Sequence, residues 1–288
     1  MVHVRERIVV ESPVNGPDVK KKQGYRGEVW QGRGVVEASV GDAFDTWPVI
    51  DVVIPALNEE KSLPLVLADM PWRAVRRVVV ADNGSDDDTA KVAREAGATV
   101  VRQDERGYGA ACLAALAELK DDPPQIVVFM DGDYSDHPEE LEKVVEPVVA
   151  EDVDLVIGSR ILGDSEAGSL LPQAIFGNWL SCQLMDLAFG YRFSDLGPFR
   201  AVTWEALEEL EMRDRNFGWT VEMQARAAKY GMKCVEVPVS YRRRVGKSKV
   251  TGTLKGSVMA GIKILSTIGW EALADIRGRF EDSEVSHR

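Results

Sequence analysis

Two carboxylates one residue apart, Asp131 and Asp133, follow an apolar run, Ile126–Met130, with Gly132 between them. Such a pair can hold one hard divalent cation, Mg2+ or Mn2+, which takes oxygen ligands and bridges them to the phosphates of a substrate. Gly132 lets the backbone come close to that ligand. A calcium loop of the EF-hand type is excluded. Asp131, Asp133, Ser135 and Glu142 fit its spacing, but the place that requires glycine holds Asp136, and a strand-like run precedes the loop instead of a helix. An acid-glycine-acid triplet standing alone is an ordinary acidic turn, so its neighbours decide its meaning.

Those neighbours are the loops that follow other apolar runs. Ile50–Ile54 leads into Pro55-Ala56-Leu57-Asn58-Glu59-Glu60, Val78–Ala81 into Asp82-Asn83-Gly84-Ser85, and Leu155–Gly158 into Ser159-Arg160. Open α/β sheets bind ligands at the carboxyl ends of their strands. Three carboxylate-bearing loops and an arginine therefore converge on one edge. Further on, Arg242-Arg243-Arg244-Val245-Gly246-Lys247-Ser248-Lys249 concentrates positive charge. It can close over a diphosphate, with Arg giving forked contacts and Lys a point charge, and its Gly and Ser suit a mobile lid better than a solvated helix face. His137 either touches the metal shell or helps start the next helix, and the second reading is preferred. No Ser/His/Asp or Cys/His triad, P-loop or GxGxxG turn after the opening strand is present.

The elements that must position these loops follow a rhythm. Continuous β-branched runs at Ile50–Ile54, Val78–Ala81, Thr99–Arg102, Ile126–Met130 and Leu155–Gly158 suit strands buried on both faces. Helical stretches alternate with them at Thr89–Ala96, Ala110–Leu119 and Glu139–Val149, the last opened by Pro138. This is the pattern of βαβ units and a mostly parallel sheet flanked by helices in one main α/β domain. Beyond Arg160 the expectation is a long helix Pro172–Phe189, a Gly-rich turn through Ser194–Arg200, helices Thr203–Glu211 and Val221–Tyr230, and a strand Lys233–Pro238. The basic segment Tyr241–Thr253 reads as a loop. The division expected is a peripheral, partly disordered extension over 1–47, a main domain over 48–253, and an amphipathic helix with tail over 254–288.

The chain has 288 residues, 45% hydrophobic, which is ample for a core. Its net charge of −12 disfavours nucleic-acid binding, because phosphates need Lys and Arg to neutralise them. Three scattered cysteines, Cys112, Cys182 and Cys234, read as buried thiols in a reducing compartment. The N-terminal residues lack the apolar region of a secretory signal, and no run reaches membrane-spanning length. The expectation is a cytoplasmic protein, with peripheral contact at the inner face of the membrane left open, as is homo-oligomerisation.

Six motifs in order, VVIPALNEE, VVADNGSDDDT, the DGD of FMDGDYSDHPE, VIGSR, SDLGPFRA and RRRVGKSK, are similar to glycosyltransferase family 2. Within it they most resemble the dolichol- and polyprenyl-phosphate mannosyl- and glucosyltransferases. The resemblance covers about Val49 to Thr253. It implies the GT-A fold and an inverting transfer from a nucleotide-diphosphate sugar, a UDP- or GDP-sugar. By position it implies that Pro55, Leu57 and Glu59 line the nucleotide pocket and that Val80 and Asp82 meet the base. It implies that Asp131, Gly132 and Asp133 meet the metal and diphosphate, and that Arg160, Arg243 and Lys249 hold the donor phosphates. The third metal ligand, often Gln in that branch, falls on Ser135 or Asp136, and Ser135 is the one nominated. The Thr-Ser-Gly element that lipid-phosphate branches carry before Phe-Arg is absent from Asp195-Leu196-Gly197-Pro198-Phe199-Arg200.

Two acceptors follow. A polyprenyl or dolichyl phosphate is already an anion near neutral pH and needs no strong base. A hydroxyl needs a carboxylate within hydrogen-bond reach, and Asp195 is the first candidate and Glu222 the second. The other classes weighed are a sugar-phosphate nucleotidyltransferase, for which PALNEE is the wrong loop, and a non-catalytic nucleotide-sugar-binding protein.

Overall fold

In the computed structural model of the protein, residues 28–29, 47–151, 153–246 and 254–285 are described. Most of the 1–47 extension, together with Lys247, Ser248 and Lys249 of the basic segment, lies outside them. The strands are β1 (Glu28–Val29), β2 (Ile50–Ala56), β3 (Arg77–Asp82), β4 (Thr99–Arg102), β5 (Ile126–Phe129), β6 (Leu155–Ser159), β7 (Arg200–Thr203) and β8 (Cys234–Pro238). They make one sheet in the order β1-β8-β6-β7-β5-β2-β3-β4. Among the described strands only β7 runs antiparallel to its neighbours, β5 and β6.

Both faces of the sheet are buried, which is why the strands read as continuous apolar runs. Val52 and Ile54 of β2 face one core with Val78, Val80 and Val128, while Val53 faces the other with Val79, Val127 and Phe129. Each fully buried Val or Ile contributes about 1.5–3 kcal/mol. A one-residue slip would exchange the faces, so the register is strongly fixed. Helices α1 (Leu63–Ala68), α2 (Thr89–Glu95) and α4 (Leu141–Glu151) cover the first face. Helices α3 (Tyr108–Leu119), α5 (Pro172–Phe189), α6 (Trp204–Leu210) and α7 (Trp219–Tyr230) cover the second. Helix α8 (Leu254–Val285) packs on α5 and α7.

The six expected strands, Lys233–Pro238 included, and the long helix stand where the sequence put them. Three elements were not foreseen: β1, which falls in the extension, α1 and β7. Helix α1 is six residues long and opens with Pro64 near its start, too short for a helical period to show. Strand β7 begins at Arg200, inside what reads as a turn, and its four residues leave no room for an alternation. The three cysteines are free and buried.

Candidate active site

A cavity of about 250 Å³ opens at the carboxyl ends of β2, β3 and β5. Pro55, Leu57 and Glu59 form one wall, Asp131, Gly132 and Asp133 the floor, and Asn83, Arg106 and Tyr108 the far side. The loops after β2 and β3 are stitched together. Asn58 N donates to Ser85 Oγ at 2.9 Å, Glu59 N to Thr89 Oγ1 at 2.7 Å and Asp86 N to Asn58 Oδ1 at 2.8 Å. Within the acidic run Asp86-Asp87-Asp88, the Asp87 carboxylate serves backbone geometry, accepting Thr89 N at 3.0 Å and Glu60 N at 3.2 Å.

Asp131 Oδ1 accepts a hydrogen bond from the Tyr108 hydroxyl at 3.1 Å. Burial, and then the charge of Asp133, pushes Asp131 up to about 7, against the pull of Arg244, the Tyr108 hydroxyl and Arg160. Asp136 turns back beneath it and accepts Asp131 N–H at 3.1 Å through Oδ2. Burial and then Asp131 push Asp136 up to about 8. Among the described residues its Oδ1 is buried with no hydrogen-bond partner. Three carboxylates thus crowd one buried corner, where the charges of its neighbours add to the cost of ionising Asp131 and Asp136.

The segment after β8 answers this charge. Arg242 N donates to Ser135 O at 3.0 Å and Val245 N to Asp133 O at 2.9 Å, which lays the segment along the acidic loop. Successive arginines then point apart. Arg242 stacks on Tyr134, 3.5 Å from the ring centroid. Arg243 turns out to the Ala167 carbonyl at 2.8 Å. Arg244 reaches Asp133 Oδ2 at 2.7 Å and lines the cavity.

The chain from Asp214 to Phe217 closes the remaining side, with Asn216 and Phe217 facing the cavity. Its carbonyls cap the start of α3: Gly109 N donates to Asn216 O at 3.1 Å and Ala110 N to Arg215 O at 2.9 Å. Only glycine fits there. A Cβ on Gly107, whose φ is +153°, would lie 2.0 Å from Arg215 O, and one on Gly109 1.9 Å from Asp214 O.

This edge-bound cavity, floored by an acid-glycine-acid turn, agrees with what comparison finds. The pattern described as "Glycosyl transferase family 2" matches residues 51–202. The chain belongs to glycosyltransferase family 2. It is 40% identical to an uncharacterised glycosyltransferase of Mycobacterium bovis, over 73% of this chain and 94% of that one. It is 35% identical to a dolichyl-phosphate hexose transferase of Haloferax volcanii, over 71% of this chain and 88% of the relative. The fold is that of glucosyl-3-phosphoglycerate synthase from Mycobacterium tuberculosis, solved in complex with Mn2+, uridine-diphosphate and glucosyl-3-phosphoglycerate. That match has a TM-score of 0.65 at 22% identity over 85% of this chain and 87% of that one.

Other residues nominated from the sequence of this glycosyltransferase stand elsewhere. Val80 is fully buried in the core and does not reach the cavity. Asp82 is also buried, and holds Ser85 N at 2.9 Å and Arg102 at 3.4 Å. Arg243 serves the Ala167 carbonyl, so of the three consecutive arginines it is Arg244 that lines the cavity. Ser135 is fully buried and donates both its N–H and its hydroxyl to Asp133 Oδ1, so the nearby oxygen still seeking a partner belongs to Asp136.

The two nominated bases are committed to structure. Asp195 is fully buried, and both its oxygens take Arg160: Nε and N–H at 2.8 Å on Oδ2, Nη2 at 2.7 Å on Oδ1. Glu222 accepts Arg213 N at 3.0 Å and Asp214 N at 2.7 Å and pairs with Arg226 at 3.0 Å. It fixes the loop that reaches the cavity and is buried behind it. Cavity residues that were not nominated are Asn83, Arg106, Tyr108, Asn216, Phe217 and Arg244. Asn83 and Arg244 lie within loops that the sequence singled out, and glycines flank Tyr108, while Arg106, Asn216 and Phe217 depend on tertiary contact.

Proposed function

We propose that this glycosyltransferase moves a hexose, with inversion, from a UDP- or GDP-sugar to a polyprenyl phosphate. The observation that carries the reading is the pairing of an anion-ready cavity with the burial of both nominated bases. Arg106 and Arg244 stand in the wall, while Asp195 and Glu222 are both bound up in structure. An acceptor that is already an anion fits this arrangement, because no proton has to be removed from it.

The acidic corner suits a divalent cation. Three carboxylates concentrate there, one oxygen of Asp136 is unpartnered, and oxygen donors are what Mg2+ and Mn2+ take. Among the described residues no three metal-binding side chains already converge, and Arg244 now answers Asp133 instead. Asp131 and Asp133, with Asp136 behind them, are the residues that would hold the cation, with Arg244 displaced toward the diphosphate. When bound, the cation supplies positive charge to the diphosphate.

The chain's own residues do the rest. Pro55, Leu57, Asn83 and Arg106 enclose the nucleoside side, and Arg244 meets charge developing on the departing diphosphate. An oxygen of the acceptor phosphate forms the new bond to the anomeric carbon from the opposite face. The old carbon–oxygen bond breaks, and its electron pair leaves with the nucleoside diphosphate.

A lipid-borne acceptor is supported by the outer surface. Helix α5 exposes Ile175, Phe176, Trp179 and Leu187 along one stripe, and the adjoining α8 exposes Ile262, Trp270 and Leu273. Among the described residues no helix is long and apolar enough to cross a membrane. The stripe suits peripheral contact with a bilayer. The test is a donor screen of UDP- and GDP-sugars that reads nucleotide release with and without a polyprenyl phosphate, repeated after chelation of divalent cations. One donor should respond to the lipid phosphate and lose activity on chelation. Release of pyrophosphate, or equal turnover with a soluble hydroxyl acceptor, would overturn the reading.

A further inference from the structure

The loop that brings Asn216 and Phe217 to the cavity is shaped by the residue just before it. Asp214 Oδ1 accepts Asn216 N at 2.7 Å and Gly218 N at 3.1 Å, so this carboxylate sets the turn. Its other oxygen belongs to a different element. Lys263 Nζ of α8 lies 2.6 Å from Asp214 Oδ2. The Asp214 side chain is 4% exposed and that of Lys263 40%, so a buried charge is answered by a lysine that reaches in from the surface. Removing one partner of such a pair leaves the buried charge uncompensated.

Helix α8 makes this contact as part of a stripe. Lys263, Thr267 and Glu271 stand four residues apart and so share one face. Thr267 is buried where α8 passes Gly218: a Cβ there would lie 2.6 Å from Thr267 Oγ1 and 2.5 Å from Asp214 Oδ2. Glu271 accepts Arg226 Nε at 2.9 Å, Arg226 Nη2 lies 3.0 Å from Glu222 Oε1, and Glu222 accepts Asp214 N at 2.7 Å. Both the side chain and the backbone of Asp214 therefore lead back to α8. A helix kept only to cover a core would turn its apolar residues inward. Ile264 and Ile268 do so, but Lys263 and Glu271 pair inward beside them while Ile262, Leu265, Trp270 and Leu273 stay exposed.

We propose that Lys263 is a positioning residue: through Asp214 it holds Asn216 and Phe217 in the wall of the cavity. None of the residues lining the cavity comes from α8, so this helix supports the site without touching what the site binds. The inference rests on the proposed function only in taking the cavity's ligand as a nucleotide, and one readout below does not depend on that.

Two readouts on the full chain test this. Hydrogen exchange without ligand follows the amides of Asn216 and Gly218, and calorimetry follows affinity for UDP and GDP at fixed MnCl2. Lys263→Met keeps the stem and removes the charge. It should speed exchange at those amides by about three- to tenfold, the value of a charge-assisted bond discounted for a half-exposed lysine. It should weaken the nucleotide that wild type binds by a similar factor. Lys263→Arg, which still reaches Asp214, should restore most of both. Asp214→Asn keeps an oxygen for the two backbone bonds and loses the ion pair, so it should match Lys263→Met, and it decides the matter if that variant fails to fold. Ile268→Val trims the packing of the same helix and leaves the stripe intact. It should lower the thermal midpoint but change neither exchange nor affinity. With Asn216 and Phe217 both changed to alanine, Lys263→Met should cost no further affinity, since residues acting as one unit are not additive. Unchanged exchange in Lys263→Met and Asp214→Asn would overturn the positioning role, as would losses that Ile268→Val reproduces or that multiply with the alanine pair. Faster exchange in a protein whose wild type binds neither UDP nor GDP would uphold the positioning role and place the error in the donor reading.

Discussion

Arg244 Nη1 lies 2.7 Å from Asp133 Oδ2, so the acidic corner is answered by a cation of the chain itself. Arg243, one residue earlier, points away and binds the Ala167 carbonyl. Arg244→Ala should therefore raise the donor KM by about 10–100-fold, the range for a lost hydrogen bond to a charged partner. Arg243→Ala should change it by less than about threefold, since exposed contacts are worth little. Steady-state kinetics with the responsive donor checks the contrast, and a larger effect at Arg243 would reverse the assignment.

Tyr108 bears on the charge state of Asp131. Its hydroxyl bond is one of the influences that hold Asp131 down against burial. Tyr108→Phe removes that bond, so Asp131 should stay protonated to higher pH. Nucleotide affinity at fixed MnCl2 should then fall more at pH ~6.5 than at pH ~8.5, because only the ionised carboxylate binds cations well. Equal losses at both pH values would mean that the bond orients the residue without tuning it.

Gly109→Ala separates propensity from fit. In an open helix this change would stabilise by about 0.5–1 kcal/mol. Here the new Cβ would lie 1.9 Å from Asp214 O, so either α3 or the loop must move. The expected outcome is a loss of about 1–3 kcal/mol, the cost of overpacking, read as a lower urea midpoint. Nucleotide affinity should weaken as well, since the displaced loop carries Asn216 and Phe217 into the cavity wall.

Glu236 should leave a mark on stability as pH changes. Its folded-state value, about 7, lies above the ordinary 4.5. Between those values the folded protein holds a proton that the unfolded chain has released. Stability from this group is thus fully present below about 4.5 and is lost as pH rises toward about 7. Glu236→Gln abolishes that dependence, so the gap in stability between wild type and variant should shrink by up to about 3 kcal/mol from pH ~4.5 to pH ~7.5. Chemical denaturation across that window reads the gap directly, and a constant gap would place the acid near its ordinary value.

The acidic edge of the cavity was legible from sequence because it is made locally. Asp131 and Asp133 stand at the end of a β-branched run, and Pro55 to Glu59 at the end of another, so strand topology alone brings them together. The partners of those residues were not legible in the same way. Nothing in three consecutive arginines says which one faces inward. That is set by the hydrogen bonds from Arg242 N to Ser135 O and from Val245 N to Asp133 O. Asn216 and Phe217 reach the site because two glycines at the start of α3, Gly107 just before it and Gly109 within it, let a distant loop settle against it. Asp195 and Glu222 misled as candidate bases for a related reason: a carboxylate in a motif looks alike in sequence whether it faces substrate or backbone.

The reversal of β7 has a consequence for how the chain tolerates change. Because that strand runs against its neighbours, the residues before it, Ser194 to Phe199, arrive at the same edge as the ends of the parallel strands. Its far end, at Thr203, meets the opposite edge beside Gln125 and Asp154. Added length or a fused tag at Pro123-Pro124 or near Asp154 falls a full strand away from the cavity. A single residue inserted between Ser194 and Arg200 would shift the one reversed strand and the arginine grip together.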